Sequence, residues 1–206
     1  MAEERAFVVG LDLGQAADYT AAAVVERRLP DGAPRSAATH ALVHLERLPL
    51  GTSYPEVVRI AGDLMGRLPA GSRLVVDATG TGRPVVDLLS QAGLWPIPVV
   101  VHGGGETTRD ANGFIRAPKR ELVTTAQVAL QQGRLKFVAG LPLATTLREE
   151  LQNFRQKIAD NGHDSYEAWR EGQHDDMVFA LCLAVWRGER FWPRDDRPVP
   201  VVWDRG

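Results

Sequence analysis

Four aspartates stand where one fold would bring them together. Asp12 falls near the end of an apolar run, about Ala6 to Leu13, and Asp77 ends another, Arg73 to Asp77. Asp175 and Asp176 open a helical pattern that continues to about Arg187. In an open sheet, ligands gather beyond the carboxyl ends of the strands, so strand-final aspartates on parallel neighbours face one edge. A helix packed across that edge brings a third carboxylate to them. Carboxylates converging without basic partners repel strongly. Divalent cations relieve the repulsion, and oxygen-only donors suit Mg²⁺ or Mn²⁺. Two such ions roughly 4 Å apart activate a water and stabilise a leaving oxygen, the chemistry of phosphodiester cleavage. Singly, each aspartate has a plainer role: Asp12 and Asp77 as turn formers, Asp175 as a helix cap.

The elements that must hold these residues follow from the apolar pattern. The run ending at Asp12 suits a strand buried on both faces, in the middle of a sheet. The turn Gly14 to Asp18 leads to a second strand, about Tyr19 to Arg28, and Pro30 to Pro34 turns the chain into a third, about Ser36 to Leu48. On the third strand, Ala41, Val43 and Leu45 alternate. A helix starting at Ser53 to Glu56 carries Val57, Ile60, Ala61, Leu64 and Leu68 at helical spacing. The strand ending at Asp77 follows, then a helix (Pro84 to Gln91) and a strand (Pro96 to Val101). Three antiparallel strands followed by alternating helices and parallel strands give a mixed sheet.

Beyond that, His102 to Gly113 is a polar, glycine-dense stretch expected as a functional loop. A helix is expected over Pro118 to Gln132, a short edge strand over Leu135 to Val138, and a helix over Leu141 to Leu151. Asn161-Gly162 between two apolar runs signals a β-hairpin over about residues 154–169. The last helix turns Val178, Leu181, Cys182 and Val185 inward. Residues 1–190 thus form one domain, and 191–206, rich in Pro, Arg and Asp, form a tail.

Composition narrows the function classes. The 206 residues carry 24 basic and 26 acidic side chains, a formal charge of -2, so no overall basic charge advertises nucleic acid. A local basic patch beside an acidic site remains compatible with it. The single cysteine, Cys182, excludes an intrachain disulfide and a cysteine zinc cluster. It fits a reducing, cytoplasmic setting. The sequence has no signal peptide, no apolar run of membrane length and no Walker-type phosphate loop.

Several pieces carry a family resemblance. They are Gly10-Leu11-Asp12-Leu13-Gly14 with Asp18 to Ala21, Val75-Val76-Asp77-Ala78-Thr79-Gly80-Thr81-Gly82 with Val85 to Leu89, Lys119 to Leu122, and His174-Asp175-Asp176 continuing to Ala184. In order and spacing the chain resembles the nuclease domain of the tailed-bacteriophage terminase large subunit, of the ribonuclease H-like superfamily. The resemblance implies a ribonuclease H-like mixed sheet flanked by helices, with an extra β-hairpin. It implies a two-metal endonuclease that cuts double-stranded DNA in genome packaging, in a bacterial host cell, alongside an ATPase domain or other packaging proteins. Asp12, Asp77 and one or both of Asp175 and Asp176 are then metal ligands, with Asp12 bridging two Mg²⁺ or Mn²⁺ ions and His174 either supporting the ligands from behind or capping the helix. The full terminase subunit carries an ATPase domain before the nuclease. Without a phosphate loop, the chain reads as an excised nuclease domain or a freestanding relative.

DNA must reach such a site. Arg109, Arg116, Lys119, Arg120, Arg155, Lys157 and Arg170 are the expected phosphate contacts. Gly14 keeps the turn beside Asp12 low, and Asp18 is read as a turn residue. Three other readings fit part of the pattern: a Holliday-junction resolvase with the same carboxylates, a sugar-kinase-like phosphate site at Asp12-Leu13-Gly14, and a non-catalytic DNA-binding or assembly module.

Overall fold

The computed structural model describes residues 3–14, 18–80, 82–153 and 175–190. β1 (Glu3–Asp12) pairs antiparallel with β2 (Ala21–Pro30), and β2 pairs antiparallel with β3 (Thr39–Arg47). There follow α1 (Tyr54–Gly66), β4 (Arg73–Asp77), α2 (Gly82–Gln91) and β5 (Ile97–His102). The chain continues through β6 (Thr108–Arg109), β7 (Ile115–Pro118), α3 (Lys119–Gln131), β8 (Leu135–Phe137), α4 (Ala144–Asn153) and α5 (Asp176–Arg190). The eight strands form one sheet in the order β6-β7-β5-β4-β1-β2-β3-β8. β4, β5 and β7 continue parallel from β1, and β8 lies parallel to β3. The expected meander and parallel strands are therefore present, with β1 interior to the sheet.

Both faces of the sheet are covered, which is why its central strands read as nearly unbroken apolar runs. Side chains alternate between faces along a strand. Val9 and Leu11 of β1, Ala22 and Val24 of β2, and Leu74 and Val76 of β4 pack under α1 and α2. Val8, Ala21, Ala23, Val25 and Val75 point the other way, into a core with α3, α4 and α5. By the same alternation Asp12 (two beyond Gly10, four beyond Val8) and Asp77 (two beyond Val75) fall on the α5 face. α5 is buried along its length from Asp176 to Gly188. Among the described residues no helix is long and apolar enough to cross a membrane.

Two expectations change. On β3 the residues turned toward α5 are His40, Leu42 and Leu45, not an even series through Ala41 and Val43. The register slips between Val24 and Val25, so Val24 faces His44 and Val25 faces Leu42. The extra residue, Val43, resets the alternation, as a bulge does. The stretch His102 to Gly113 is not all loop: β6 within it folds back antiparallel on β7. Asp110 nucleates that reversal, its carboxylate accepting from the backbone N–H of Asn112 (2.9 Å) and Phe114 (3.0 Å). The hairpin expected over residues 154–169 and the tail 191–206 lie outside the described residues.

Candidate metal centre

Asp12 and Asp77 become neighbours through strand register. β1 and β4 align Gly10 with Val75 and Leu11 with Val76, so one further step sets Asp12 beside Asp77. The turn after β4 fixes the second carboxylate. The Thr79 backbone N–H donates to Asp77 Oδ1 at 2.8 Å, and the Thr79 hydroxyl accepts from the Val101 N–H at 2.9 Å. Gly80 has a φ of +64°, the left-handed region that glycine enters without strain. Gly82 then starts α2 so close that a side chain there would meet the Asp77 carbonyl oxygen. The sequence Asp77-Ala-Thr-Gly is thus a strand-to-helix turn that presents one carboxylate.

The other two aspartates arrive on α5. Asp175 immediately precedes the helix and its carbonyl accepts from the Phe179 N–H at 2.9 Å. Asp176 is the first helical residue. Asp176, Ala180 and Ala184 share one helical row, and Gly10 lies beneath Ala180 and Ala184. That row runs along β1 toward Asp12. Asp175 shares its side of the helix with Phe179, which faces α3.

The electrostatics report the convergence. Burial pushes the Asp12 carboxyl well above the usual range, the negative charges of Asp77, Asp176 and Asp175 push it further, and Lys119 opposes them. Lys119 opens α3; its Nζ is 3.8 Å from Asp175 Oδ2 and 5.4 Å from the centre of the Phe179 ring. The Arg47 guanidinium lies 3.9 Å from Asp176 Oδ2. Among the described residues no three His, Cys, Asp or Glu side chains are disposed as a ready-made metal-ligand group. The four aspartates converge on one region, with Lys119 beside Asp175 and Arg47 beside Asp176. In charge and donor type this region fits a hard divalent cation.

The expected phosphate contacts scatter. Lys119 is only 17% exposed and stands inside the carboxylate region. Arg109 and Arg116 are exposed on the β6–β7 hairpin. Arg120 is exposed beside Lys119 and lines an open groove of about 480 Å³ with Pro118, Thr124, Arg134 and Glu189. Arg155, Lys157, Arg170 and His174 lie outside the described residues. Gly14 serves the turn itself: a side chain there would strike the backbone of Asp18 and Tyr19, while its N–H donates to the Thr20 hydroxyl at 3.1 Å. Asp18 is exposed on that turn.

Sequence reasoning missed Glu121. Its carboxylate accepts from the Thr107 hydroxyl (2.6 Å) and the Trp186 indole N–H (2.7 Å), and it pairs with Arg190. Burial alone would raise that carboxyl; these donors and the arginine charge outweigh burial and hold it below the ordinary value. Glu121 ties the start of α3 to α5 and to the loop before β6, bracing the element that carries Lys119. It falls within the Lys119–Leu122 piece, but the pattern gives no sign of its role, because its partners are 14 to 69 residues away.

A family model described as the Terminase RNaseH-like domain matches residues 9–187. No curated protein matches the chain in sequence. Among solved structures the chain is similar to the nuclease domain of the large terminase from bacteriophage SPP1 with bound Mn. The likeness has a TM-score of 0.50 at 13% identity and covers 88% of this chain and 85% of that one. At that identity it speaks for the fold, a ribonuclease H-like mixed sheet flanked by helices. The family match runs from Val9 on β1 to Arg187 on α5 and so contains all four aspartates, and on that evidence the chain belongs to the terminase RNaseH-like domain family.

Proposed function

We propose that the protein is a divalent-metal-dependent endonuclease that cleaves double-stranded DNA during phage genome packaging. The observation that carries this reading is the convergence of Asp12, Asp77, Asp175 and Asp176 at one edge of the sheet. Family membership supports it, as does the Mn bound to the similar SPP1 domain.

Asp12 and Asp77, with Asp175 and Asp176, are the residues that would hold two Mg²⁺ or Mn²⁺ ions. Bound there, the cations supply a water acidic enough to attack a phosphodiester and a counter-charge for the leaving oxygen. The chain's own part is placement. β1 and β4 are interior strands that hold their carboxylates rigidly, and α5 delivers the third from above. Lys119 balances charge next to Asp175. Arg109, Arg116 and Arg120, with Arg155, Lys157 and Arg170, are the proposed contacts to the DNA backbone, and His174 is the proposed support of the metal ligands. An ATPase domain or other packaging proteins are the proposed partners.

The test is cleavage of supercoiled plasmid by purified protein in Mn²⁺ or Mg²⁺, with EDTA as the control. Cleavage is expected in the metal and absent in EDTA, Asp12→Asn and Asp77→Asn. Full cleavage by either variant, with contaminating nuclease excluded, overturns the reading.

A further inference from the structure

We propose that Arg47 and Glu150 form a positioning pair that fixes Asp176 over Asp12, an inference that rests on the metal-dependent reading above. The argument begins with sheet register. Arg47 pairs with Ala21, and Ala21 pairs with Asp12. Arg47, Ala21 and Asp12 therefore lie in one row across β3, β2 and β1, and Asp77 extends that row onto β4. Arg47 is two residues beyond Leu45, which packs toward α5, so the whole row faces α5. Its middle member is an alanine with no exposed surface. That small side chain leaves the space between Arg47 and Asp12 into which the first turn of α5 brings Asp176.

Arg47 is held from three sides. Its guanidinium pairs with the Glu150 carboxylate and lies 3.9 Å from Asp176 Oδ2. It stacks over the Tyr19 ring, 4.9 Å from the ring centre. Glu150 is fixed in turn by its helix: Leu147, one turn earlier, is a core residue, and Leu151 packs beside the same core. Glu150 and Asp176 are both buried, at 8% and 6% exposure. A buried carboxylate needs a counter-charge, and Nη2 of the Arg47 guanidinium is placed against both. The consequence is directional. Arg47 approaches Asp176 from the β3 end of the row, and Asp12 lies on the β1 end. Arg47 does not contact the reacting atoms; it acts through Asp176.

The experiment uses the full chain and reads Mn²⁺ binding by calorimetry beside plasmid cleavage. Arg47→Lys keeps the charge but loses the planar guanidinium whose stacking on Tyr19 holds Nη2 between the two carboxylates. It is expected to weaken Mn²⁺ binding about ten-fold or more, the usual effect of removing a residue that orients a ligand. Turnover should fall with it, while KM for DNA stays within about two-fold, since the Arg47 Nε and Nη2 atoms are buried against protein. A double variant, Arg47→Met with Glu150→Met, removes both charges and keeps the volume, so it is expected to fold. It should show the same loss of Mn²⁺ affinity. If either folded variant binds Mn²⁺ as tightly as the wild type, the positioning role is overturned. If the wild type itself neither binds Mn²⁺ nor cleaves, the metal-dependent reading fails and this inference with it. Binding and cleavage by the wild type with unchanged variants removes the pair alone.

Discussion

Gly10 on β1 lies so close under Ala180 of α5 that a Cβ at Gly10 would come 2.1 Å from the Ala180 carbonyl oxygen and 2.9 Å from the Ala184 nitrogen. No side chain fits there, and backbone atoms cannot step aside as a flexible side chain would. The contact sets the height of α5 over the sheet, and with it the distance from Asp176 to Asp12.

Gly10→Ala should therefore lift α5 and disturb the carboxylates together. Overpacking of this kind costs about 1–3 kcal/mol. Urea denaturation is expected to show that loss, and plasmid cleavage should fall more steeply than stability predicts. Wild-type stability in the alanine variant would show that the helix sits higher than described.

Asp12→Asn should stabilise the metal-free protein at neutral pH. Burial and three neighbouring carboxylates raise the Asp12 carboxyl in the folded state. A carboxyl raised on folding contributes stability below its unfolded value, near 4, and loses it as pH climbs through the folded value. The asparagine variant avoids that loss. Its advantage is expected to be largest at pH 7 in EDTA and to shrink as pH falls toward 4. Denaturation midpoints at the two pH values check the sign.

Mn²⁺ should reverse that order. A ligand that binds only the folded state stabilises by about 2.7 kcal/mol at a hundred-fold excess over its dissociation constant. The wild type is expected to melt several degrees higher in saturating Mn²⁺ than in EDTA. Asp12→Asn and Asp77→Asn should show little of this shift in a scanning calorimeter.

Glu121→Ala should loosen α3 from α5 without touching the aspartates. It leaves the Trp186 indole N–H, in a residue only 1% exposed, without its acceptor. An orphaned buried donor costs about 1–3 kcal/mol. Glu121→Gln, which keeps an acceptor for the indole, is expected to recover part of that loss. The wild-type contribution should be present above the ordinary glutamate value and fade as pH falls through the lower folded value. Urea midpoints for the three proteins, compared from pH 7 down to about pH 3, measure both effects.

Much of the architecture was legible in the residues. The strand over Arg73–Asp77 has the bounds its apolar run gave, and the helices and parallel strands follow in the expected order, since both depend on local spacing. Asp12 and Asp77 were readable as strand-final because the apolar runs stop there. The short β6–β7 pairing was not readable, because two residues of strand carry no periodic signal. The phase of β3 was lost at a bulge, which the side-chain pattern cannot announce before the partner strand is known.

By itself, then, the sequence determined which residues carry charge, which faces are apolar and where each element ends, all of them properties of neighbours along the chain. Only the tertiary structure decided that Asp12 stands beside Asp77 in parallel register, that Gly10 lets α5 settle low over β1, and that Arg47 serves Glu150 and Asp176 together. Those relations join residues tens to more than a hundred positions apart. They exist because strand pairing and helix packing close distances that no local pattern encodes.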